Sequence, residues 1–576
     1  MKYVLGYFRK YLKESILAPL FKMLEAIFDL MVPLVVAGII NEGIGKNNPA
    51  LIWRNAGQMV VMALVGLLCS FTAQYFAARA ATGTARGLRK KLFAHIQDFS
   101  FTEMDVIGKS TLITRMTSDI NQVQNGVNMF LRLFLRSPFI VFGSMVMAFT
   151  IDSKIALIFA VSIPVLSLIV FGIMKWTNPL YKRIQARLDQ VTGAARENFS
   201  GVRVIRAFGR EEAEVDAFQS ANEHLVRLQL PVGKISALMN PLTFVVVNLG
   251  IILILWLGGK QTDGGLLLSG DVIALVNFMS QILVELVKLA NLIVTLSKAM
   301  ASAQRVGQIL DTPSSMIFPE NGIRESESRE AVRFSHVSLA YAGGGDESIT
   351  DISFIAMRGQ TIGIIGGTGS GKSSLVHLIP RFYDATRGQV SLMGHDIRDW
   401  DKQALREKVG IVPQKAQLFK GTIRSNLLWG NEQASQEDLW QALRLAQAED
   451  FVKEKPLSLD DPVEQGGRNL SGGQRQRLTI ARALVKKPEI LILDDAASAL
   501  DYATDAALRK ALKTLPGDIT VFIVSQRTSS LQHADQIIVL EDGETAGIGT
   551  HEQLMESCQV YQEIYDSQFQ KGGEKA

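Results

Sequence analysis

The sequence has little cysteine and little net charge. Cys69 and Cys558 are the only cysteines among its 576 residues, which excludes a disulfide-rich extracellular scaffold and is consistent with a cytosolic C-terminal half. The formal net charge is only +4, and the basic residues cluster at the ends of apolar segments. That pattern is typical of the cytoplasmic side of membrane proteins rather than of nucleic-acid binding. We therefore expect no nucleic-acid partner.

Apolar residues, in contrast, are abundant. They make up 47% of the chain, which predicts that part of the protein faces lipid. About six segments meet the length of about 20 mostly apolar residues that a transmembrane helix needs. These segments are 16–40, 51–76, 130–151, 155–176, 241–257 and 272–296. The long links 77–129 and 177–240 are rich in Lys and Arg, which predicts that they and both termini are cytoplasmic.

Charged residues inside the predicted spans allow two interpretations. They share one helix face in each of two spans: Lys22, Glu25 and Asp29 at i, i+3, i+7, and Glu285 and Lys288 at i, i+3. Such residues are costly in lipid and face protein or water. They could line a central cavity, or they could form structural ion pairs or snorkel near the inner leaflet. The second interpretation applies also to Arg132 and Arg136.

The composition changes after residue 310. Residues 311–330 are polar and aperiodic, and from residue 331 onward short β-rich runs alternate with helical ones. This alternation predicts an α/β domain with a largely parallel sheet. We thus expect a membrane domain of six helices over 1–310, a linker over 311–330 and an α/β domain over 331–576.

A phosphate-binding loop is predicted near the start of the α/β domain. A strand over 361–365 leads into a G-x-x-x-x-G-K-[ST] motif that is followed by a helix, the context that identifies a P-loop. Glycine N–H groups would cradle phosphate, Lys372 would bridge the β- and γ-phosphates, and Ser373 would hold Mg²⁺. The residues expected to bind ATP are Gly366, Thr368, Gly369, Ser370, Gly371, Lys372, Ser373 and Ser374.

A second acidic motif lies further along the domain. The apolar run 490–493 ends in Asp494 and Asp495, as expected of a buried parallel strand that delivers carboxylates to the edge of a sheet. Asp494 is the expected acidic partner of Mg²⁺. We therefore predict ATP and Mg²⁺ as cofactors.

A five-residue run that ends about 15 residues before this strand identifies the family more closely. The run Leu470, Ser471, Gly472, Gly473 and Gln474 matches the signature motif of ATP-binding cassette (ABC) proteins. Together with Gln414 in a Q-loop and a D-loop that ends at Asp501, it makes the whole chain resemble an ABC exporter half-transporter. The resemblance implies that Gln414 contributes to Mg²⁺ binding and catalysis. It also implies that Tyr341 stacks on adenine, whereas a core tyrosine of a strand is the alternative.

The resemblance implies a partner chain. In this family two cassettes pack head to tail, and each ATP lies between the P-loop of one chain and the signature Ser and Gly of the other. A second half-transporter is therefore required, identical or different. Segments 108–119 and 197–212 resemble the two intracellular loops whose short coupling helices rest on nucleotide-binding domains.

Two positions depart from the family pattern. Asp495 stands where the family has Glu, and Gln526 stands where it has the switch His. The shorter carboxylate is set back, and a misplacement of ~1 Å can lower a rate by ~10²-fold. Gln526 cannot carry a positive charge. The two departures predict a degenerate site that binds ATP but hydrolyses it poorly, as in bacterial heterodimeric exporters. A homodimer with two slow sites is the alternative.

We accordingly expect an ATP-driven exporter of amphipathic compounds, of drug or lipid type, in the cytoplasmic membrane. Its partners would be the lipid bilayer, a small amphipathic substrate and a second half-transporter with intact catalytic residues. A homodimeric exporter of lipid or peptide, or an ATP-gated regulatory or channel subunit, stays open. A soluble ABC ATPase acting on DNA or ribosomes is disfavoured by the six predicted spans.

Overall fold

The structure is a computed structural model that describes residues 2–513 and 518–569, so the ends of the expected domains, at Met1 and at 570–576, lie outside the described residues. The chain divides into two compact units. The first unit comprises Met1–Gln97 and Ser110–Thr312. The second comprises Asp98–Lys109 and Pro313–Ala576, so a short segment of the N-terminal half belongs to the C-terminal unit.

The first unit is helical throughout its described part. Short π-helical stretches, Ile39–Ile44 and Arg115–Asp119, continue two of its helices. The helices are α1 (Lys2–Lys10), α2 (Leu12–Gly38), α3 (Pro49–Gln97), then α4 of the second unit (Phe101–Ile107), α5 (Lys109–Thr114), α6 (Ile120–Leu133), α7 (Arg136–Ile151), α8 (Ser153–Ala207), α9 (Glu211–Ala237), α10 (Met239–Asp263) and α11 (Ser269–Asp311).

Six helical segments of the described residues are long and apolar enough to cross a membrane, which confirms the predicted number of spans. They are Leu12–Ile44, Pro49–Gln97, Lys109–Ile151, Ser153–Ala207, Glu211–Asp263 and Ser269–Asp311. Large apolar side chains such as Leu64, Leu68 and Phe71 are exposed on α3, as expected of a surface that faces lipid. The 49 residues of α3 extend for about 70 Å, more than twice a hydrocarbon core of about 30 Å.

The charged residues within the spans form ion pairs. Arg136 on α7 contacts Glu285 on α11 at 2.7 Å and Asp29 on α2 at 2.8 Å, so one guanidinium joins three helices. Lys22 pairs with Glu25 on α2 at 2.5 Å. Arg136 does not snorkel, because its side chain is only 11% exposed and is bound on both sides by carboxylates.

The short helix α4 of the second unit lies before the predicted segment 108–119. This helix ends at Gly108, whose φ of +80° is a left-handed conformation that terminates helices. Gly108 and Lys109 still belong to the second unit, whereas the rest of α5 and the following π-helical stretch belong to the first. The resemblance of 108–119 to an intracellular loop stays a prediction. Segment 197–212 forms the end of α8 and the start of α9, and Phe199 and Phe208 there are exposed.

The second unit combines strands and helices. Its strands are β1 (Glu330–Leu339), β2 (Ile349–Met357), β3 (Thr361–Gly366), β4 (Arg387–Leu392), β5 (His395–Asp396), β6 (Val409–Val412), β7 (Gly421–Thr422), β8 (Pro462–Val463), β9 (Ile490–Asp494), β10 (Thr520–Val524), β11 (Gln536–Glu541) and β12 (Glu544–Gly549). Its helices after α4 are α12 (Lys372–Leu378), α13 (Lys402–Lys408), α14 (Ile423–Leu427), α15 (Gln436–Leu445), α16 (Glu449–Lys453), α17 (Gly472–Val485), α18 (Tyr502–Leu512), α19 (His551–Ser557) and α20 (Gln559–Phe569), with 3-10 turns at Ile397–Asp399, Ser458–Asp460, Gln465–Gly467 and Thr528–Ser530.

A six-stranded sheet with the order β12-β11-β3-β10-β9-β6 forms the centre of this unit. Its strands are parallel except for β12, which confirms the largely parallel sheet. Successive residues of β9 enter opposite cores, Leu491 and Leu493 on one face and Ile490 and Ile492 on the other. A separate antiparallel sheet, with the order β2-β1-β4-β5, was not predicted from the sequence.

One ion cluster ties the cytoplasmic extension of α11 to the π-helical stretch. Buried Asp119 accepts hydrogen bonds from Arg115 at 2.9 Å and from Arg305 on α11. We expect Asp119→Asn to destabilise the protein by about 1–3 kcal/mol, because two guanidinium groups lose their charged acceptor. The measurement is the thermal unfolding of the purified protein in detergent.

Glu223→Gln is the matched control, since the Glu223–Arg227 pair is exposed and should contribute less than about 1 kcal/mol. Equal effects of the two substitutions would show that the Asp119 cluster does not stabilise this junction.

Candidate functional site

The predicted site residues gather at the carboxyl edge of the six-stranded sheet. The P-loop follows β3, Asp494 and Asp495 end β9, Gln526 follows β10, and Gln414 follows β6. These four strands are neighbours in the order β3-β10-β9-β6, and they all run in one direction. Motifs that lie up to about 160 residues apart are thus brought to one edge, where open parallel sheets bind ligands.

The backbone of the P-loop requires glycine at the position before α12. Gly371, directly before α12, has a φ of +89°, and a Cβ atom there would lie 2.5 Å from the carbonyl oxygen of Ser348. Only glycine therefore fits at this position. The ammonium of Lys372 donates to the carbonyl oxygens of Gly366 and Gly367, and burial lowers its pKa. A cleft of about 500 Å³ is lined by loop residues including Gly369, Gly371 and Ser373.

Ser373 and Asp494 provide a site suited to Mg²⁺. The Ser373 hydroxyl donates to the Asp494 carboxylate at 2.9 Å, although the two residues lie 121 positions apart. Asp494 is 3% exposed, and both groups offer oxygen ligands of the kind that Mg²⁺ prefers. The structure also places His377 of α12 3.5 Å from Asp494, a neighbour that sequence reasoning missed. Its spacing of i+4 from Ser373 was the available signal.

Asp495 has a left-handed backbone, with a φ of +46°, which Asp adopts more readily than most residues with a Cβ. Its carboxylate accepts a hydrogen bond from the side-chain amide of Gln414 at 3.3 Å. Partial burial, reinforced by the neighbouring charge of Asp494, raises the pKa of Asp495. The structure therefore brings Gln414 and Asp495 together, as the sequence predicted for one site.

The loop that carries Gln526 is held by the C-terminal helix. Gln568 of α20 donates to the carbonyl oxygen of Gln526 at 2.8 Å and accepts from the N–H and the hydroxyl of Thr528, each at 3.0 Å. The Gln526 side chain itself is exposed. Sequence reasoning missed Gln568, since no motif links a residue 42 positions away to this loop.

Tyr341 connects the P-loop helix to α4 through a second tyrosine. Its hydroxyl donates to Ser374 at 3.0 Å, and its ring meets Tyr383 edge-on, with the centroids 4.9 Å apart. Tyr383 in turn donates to Asp105 on α4 at 2.6 Å, and Phe101 of α4 packs against the ring of Phe382. Burial raises the pKa of Tyr341. The adenine-stacking role of Tyr341 and the nucleotide contact of Ser374 stay predictions.

The signature residues form the N-terminus of α17. The Ser471 hydroxyl accepts from the N–H of Gln474 at 3.2 Å, and the Gln474 side chain accepts from the N–H of Ser471 at 3.0 Å. Ser471 and Gly472 are exposed, so the positive end of this helix dipole is accessible, whereas Leu470 is buried. Gly473 lies close to the carbonyl oxygen of Ala499 in the D-loop.

Asp501 has a structural contact of its own. Its carboxylate caps α18 by accepting from the N–H of Thr504 at 2.8 Å and from the Thr504 hydroxyl at 2.9 Å. These hydrogen bonds hold the pKa of Asp501 below its usual value. Any role of Asp501 toward a partner chain stays a prediction.

Comparison with known proteins identifies the family. A family model described as ABC transporter transmembrane region matches residues 15–286, and one described as ABC transporter matches residues 349–498. An uncharacterized ABC transporter ATP-binding protein of Mycobacterium tuberculosis is 36% identical over 564 residues, which cover 97% of each chain. The chain belongs to the ABC transporter family. It is therefore an ABC-type ATPase and a multi-pass inner-membrane protein with a cytoplasmic nucleotide-binding domain.

Two further comparisons show that this ABC transporter is similar to a lipid flippase in sequence and to an exporter in fold. It is 30% identical to the ATP-dependent lipid A-core flippase of Desulfotalea psychrophila over 559 residues, which cover 97% of this chain and 93% of that protein. The solved structure of a bacterial Atm1-family ABC exporter with ATP bound has the same fold, with a TM-score of 0.80, 22% identity and 99% of each chain covered.

The contacts of Gln568 give a test of how the Gln526 loop is held. We expect Gln568→Ala to weaken ATP binding by about three- to tenfold, because the loop loses three hydrogen bonds, each with a modest net contribution. The measurement is a titration of the purified transporter with a fluorescent ATP analogue. Gln559→Ala is the control, since Gln559 lies on the same helix and its amide donates to the exposed side chain of Glu563 at 2.9 Å. Equal affinities in the two variants would contradict the role of Gln568.

Proposed function

We propose that this chain is the degenerate-site half of a heterodimeric ABC exporter of amphipathic compounds. Its own Walker site holds ATP and hydrolyses it slowly, while its signature motif completes the competent site of a different chain. The observation that carries the proposal is the pair of departures at the ends of β9 and β10, Asp495 and Gln526. They occupy the two positions that in the resembling family hold Glu and His.

Asp495 is poorly suited to activate water. Its carboxylate is one methylene shorter than that of Glu, and it is half-buried beside the carboxylate of Asp494. Because a rate falls by ~10²-fold for a misplacement of ~1 Å, the shorter side chain favours retention of ATP over hydrolysis. Gln526 adds to this effect, since its amide can donate a hydrogen bond to a phosphate but carries no charge.

The groups that bind nucleotide support the other half of the proposal. Gly371 has the backbone that a phosphate cradle needs, and Ser373 and Asp494 lie in contact. The exposed end of α17 at Ser471 is free to meet a nucleotide on another chain. A site that is complete for binding and altered only at the catalytic positions is the pattern expected of a holding site.

A lipid-like or drug-like substrate is consistent with the relatives. Several are named ATP-dependent lipid A-core flippases, at 28–31% identity. Lipid and amphipathic drugs share an apolar body and a polar head, so the proposed substrate class is amphipathic.

The first test measures ATP hydrolysis at the Lys372 site in a complex of this chain with a half-transporter whose own Walker B Glu has been changed to Gln, because one chain alone cannot complete a site. We expect slow turnover, and a rise of about 10²-fold when Asp495→Glu is combined with Gln526→His, because the carboxylate and the charge needed for catalysis are restored. Asp495→Asn is the control, because it changes the same side chain without supplying the longer carboxylate. Lys372→Ala should abolish retention of radiolabelled ATP. Wild-type turnover as fast as that of the double variant would contradict a degenerate site.

The second test examines the partner. The chain is co-expressed with candidate half-transporters that carry Glu after the Walker B Asp, and complexes are isolated through a tag on one chain. In the correct pair, Glu→Gln in the partner should remove most ATPase activity, whereas Asp495→Asn in this chain should change it little. If the partner substitution leaves the activity untouched, the proposed division of labour is wrong.

A further inference from the structure

A cleft within the spanning part of the first unit is built from polar and apolar walls. It has a volume of about 490 Å³ and lies between α2, α7 and α11. Asp29, Arg136, Glu285 and Lys288 line it, together with apolar residues that include Val32 and Val284. Charges at such a depth are costly unless they are paired or serve a ligand.

The four charged residues form a row of alternating sign. Lys288 contacts Glu285 at 2.8 Å, Glu285 contacts Arg136 at 2.7 Å, and Arg136 contacts Asp29 at 2.8 Å. The row contains two positive and two negative charges, so it is neutral as a whole. A neutral row gives no net attraction to a ligand of either charge.

The inner and outer members of this row differ in exposure. The side chains of Glu285 and Arg136 are only 5% and 11% exposed, and Ser137 adds a further hydrogen bond to Glu285 at 2.8 Å. Asp29 and Lys288, the two ends, are each 43% exposed. The cleft therefore offers one carboxylate and one ammonium at opposite ends of an ion-paired core.

We propose that this cleft binds the headgroup of a zwitterionic amphiphile, with its cationic group at Asp29 and its anionic group at Lys288. The apolar walls next to the row receive the chain of the ligand. Gln281 supplies a further acceptor, since its buried Oε1 makes no hydrogen bond among the described residues, while its amide donates to the carbonyl oxygen of Asp29 at 3.2 Å. The inference rests on the proposed export of amphipathic compounds and specifies the substrate class as zwitterionic amphiphiles.

The test uses three single-chain amphiphiles of equal chain length with the full-length protein in a nonionic detergent. They are a lysophosphatidylethanolamine, a lysophosphatidic acid and an alkyl trimethylammonium. Binding is measured by calorimetric titration without ATP. We expect the zwitterion to bind about tenfold or more tightly than the other two, since only it satisfies both ends of the row. Equal or tighter binding of the anion or the cation, or no binding of the zwitterion, overturns the proposal.

Two substitutions test which end of the charged row binds which charged group of the ligand. Asp29→Asn should weaken binding of the zwitterion by about tenfold without weakening binding of the anion, while Lys288→Gln should weaken binding of the zwitterion without weakening binding of the cation. Glu42→Gln and Lys46→Gln are matched controls on the exposed link between α2 and α3. Unchanged zwitterion affinity in both cleft variants overturns the proposal.

Thermal unfolding is measured for each variant, and the comparison of three amphiphiles on the wild-type protein stands even if Asp29→Asn fails to fold. A zwitterionic lipid and a zwitterionic drug share this chemistry, so a miltefosine-type alkylphosphocholine is titrated beside the lysolipid to separate the two sources. If no zwitterion binds while slow turnover and partner-dependent hydrolysis hold, this inference fails and the proposed function stands.

Discussion

The insertion of β10 between β3 and β9 is the constraint on which the nucleotide site depends. It keeps β3 and β9 two strand spacings apart, about 10 Å. The P-loop must therefore cross the end of β10 for Ser373 to reach Asp494 at 2.9 Å. The loop after β10, which carries Gln526, consequently begins at the same edge of the sheet as the P-loop and Asp494.

At this edge of the sheet, the P-loop residues and the two altered positions are held by different contacts. Lys372 and Ser373 donate hydrogen bonds within the loop and to Asp494, and Gly371 packs against the backbone of Ser348. Asp495 and Gln526 belong to the next strand ends and are held by different partners, Gln414 and Gln568. Asp495 and Gln526 can therefore be substituted without removing the contacts of Lys372 and Ser373.

Local sequence patterns were sufficient to predict much of the structure. Contacts between residues far apart in the sequence could not be predicted in this way. The spans, the P-loop and the strands Ile490–Asp494 and Thr520–Val524 follow from hydropathy and motif spacing, so they could be predicted. Arg136 could not be placed at the junction of three helices, because its partners lie 107 and 149 residues away. The short helix α4, which ends at Gly108, was not predicted, because its partners Phe382 and Tyr383 lie 278 or more residues away.

The membership of α4 in the C-terminal unit has a consequence for biosynthesis. Asp105 and Tyr383 are separated by 278 residues. At 5–20 residues per second, roughly 15–60 s pass between the synthesis of α4 and the synthesis of the residues it packs against. During that interval the first unit can insert into the bilayer while α4 is still without its partner. The order of synthesis thus favours membrane insertion before the nucleotide-binding unit completes its folding.

A fragment that starts at Pro313 would lack α4 and leave Phe382 and Tyr383 uncovered, which favours self-association.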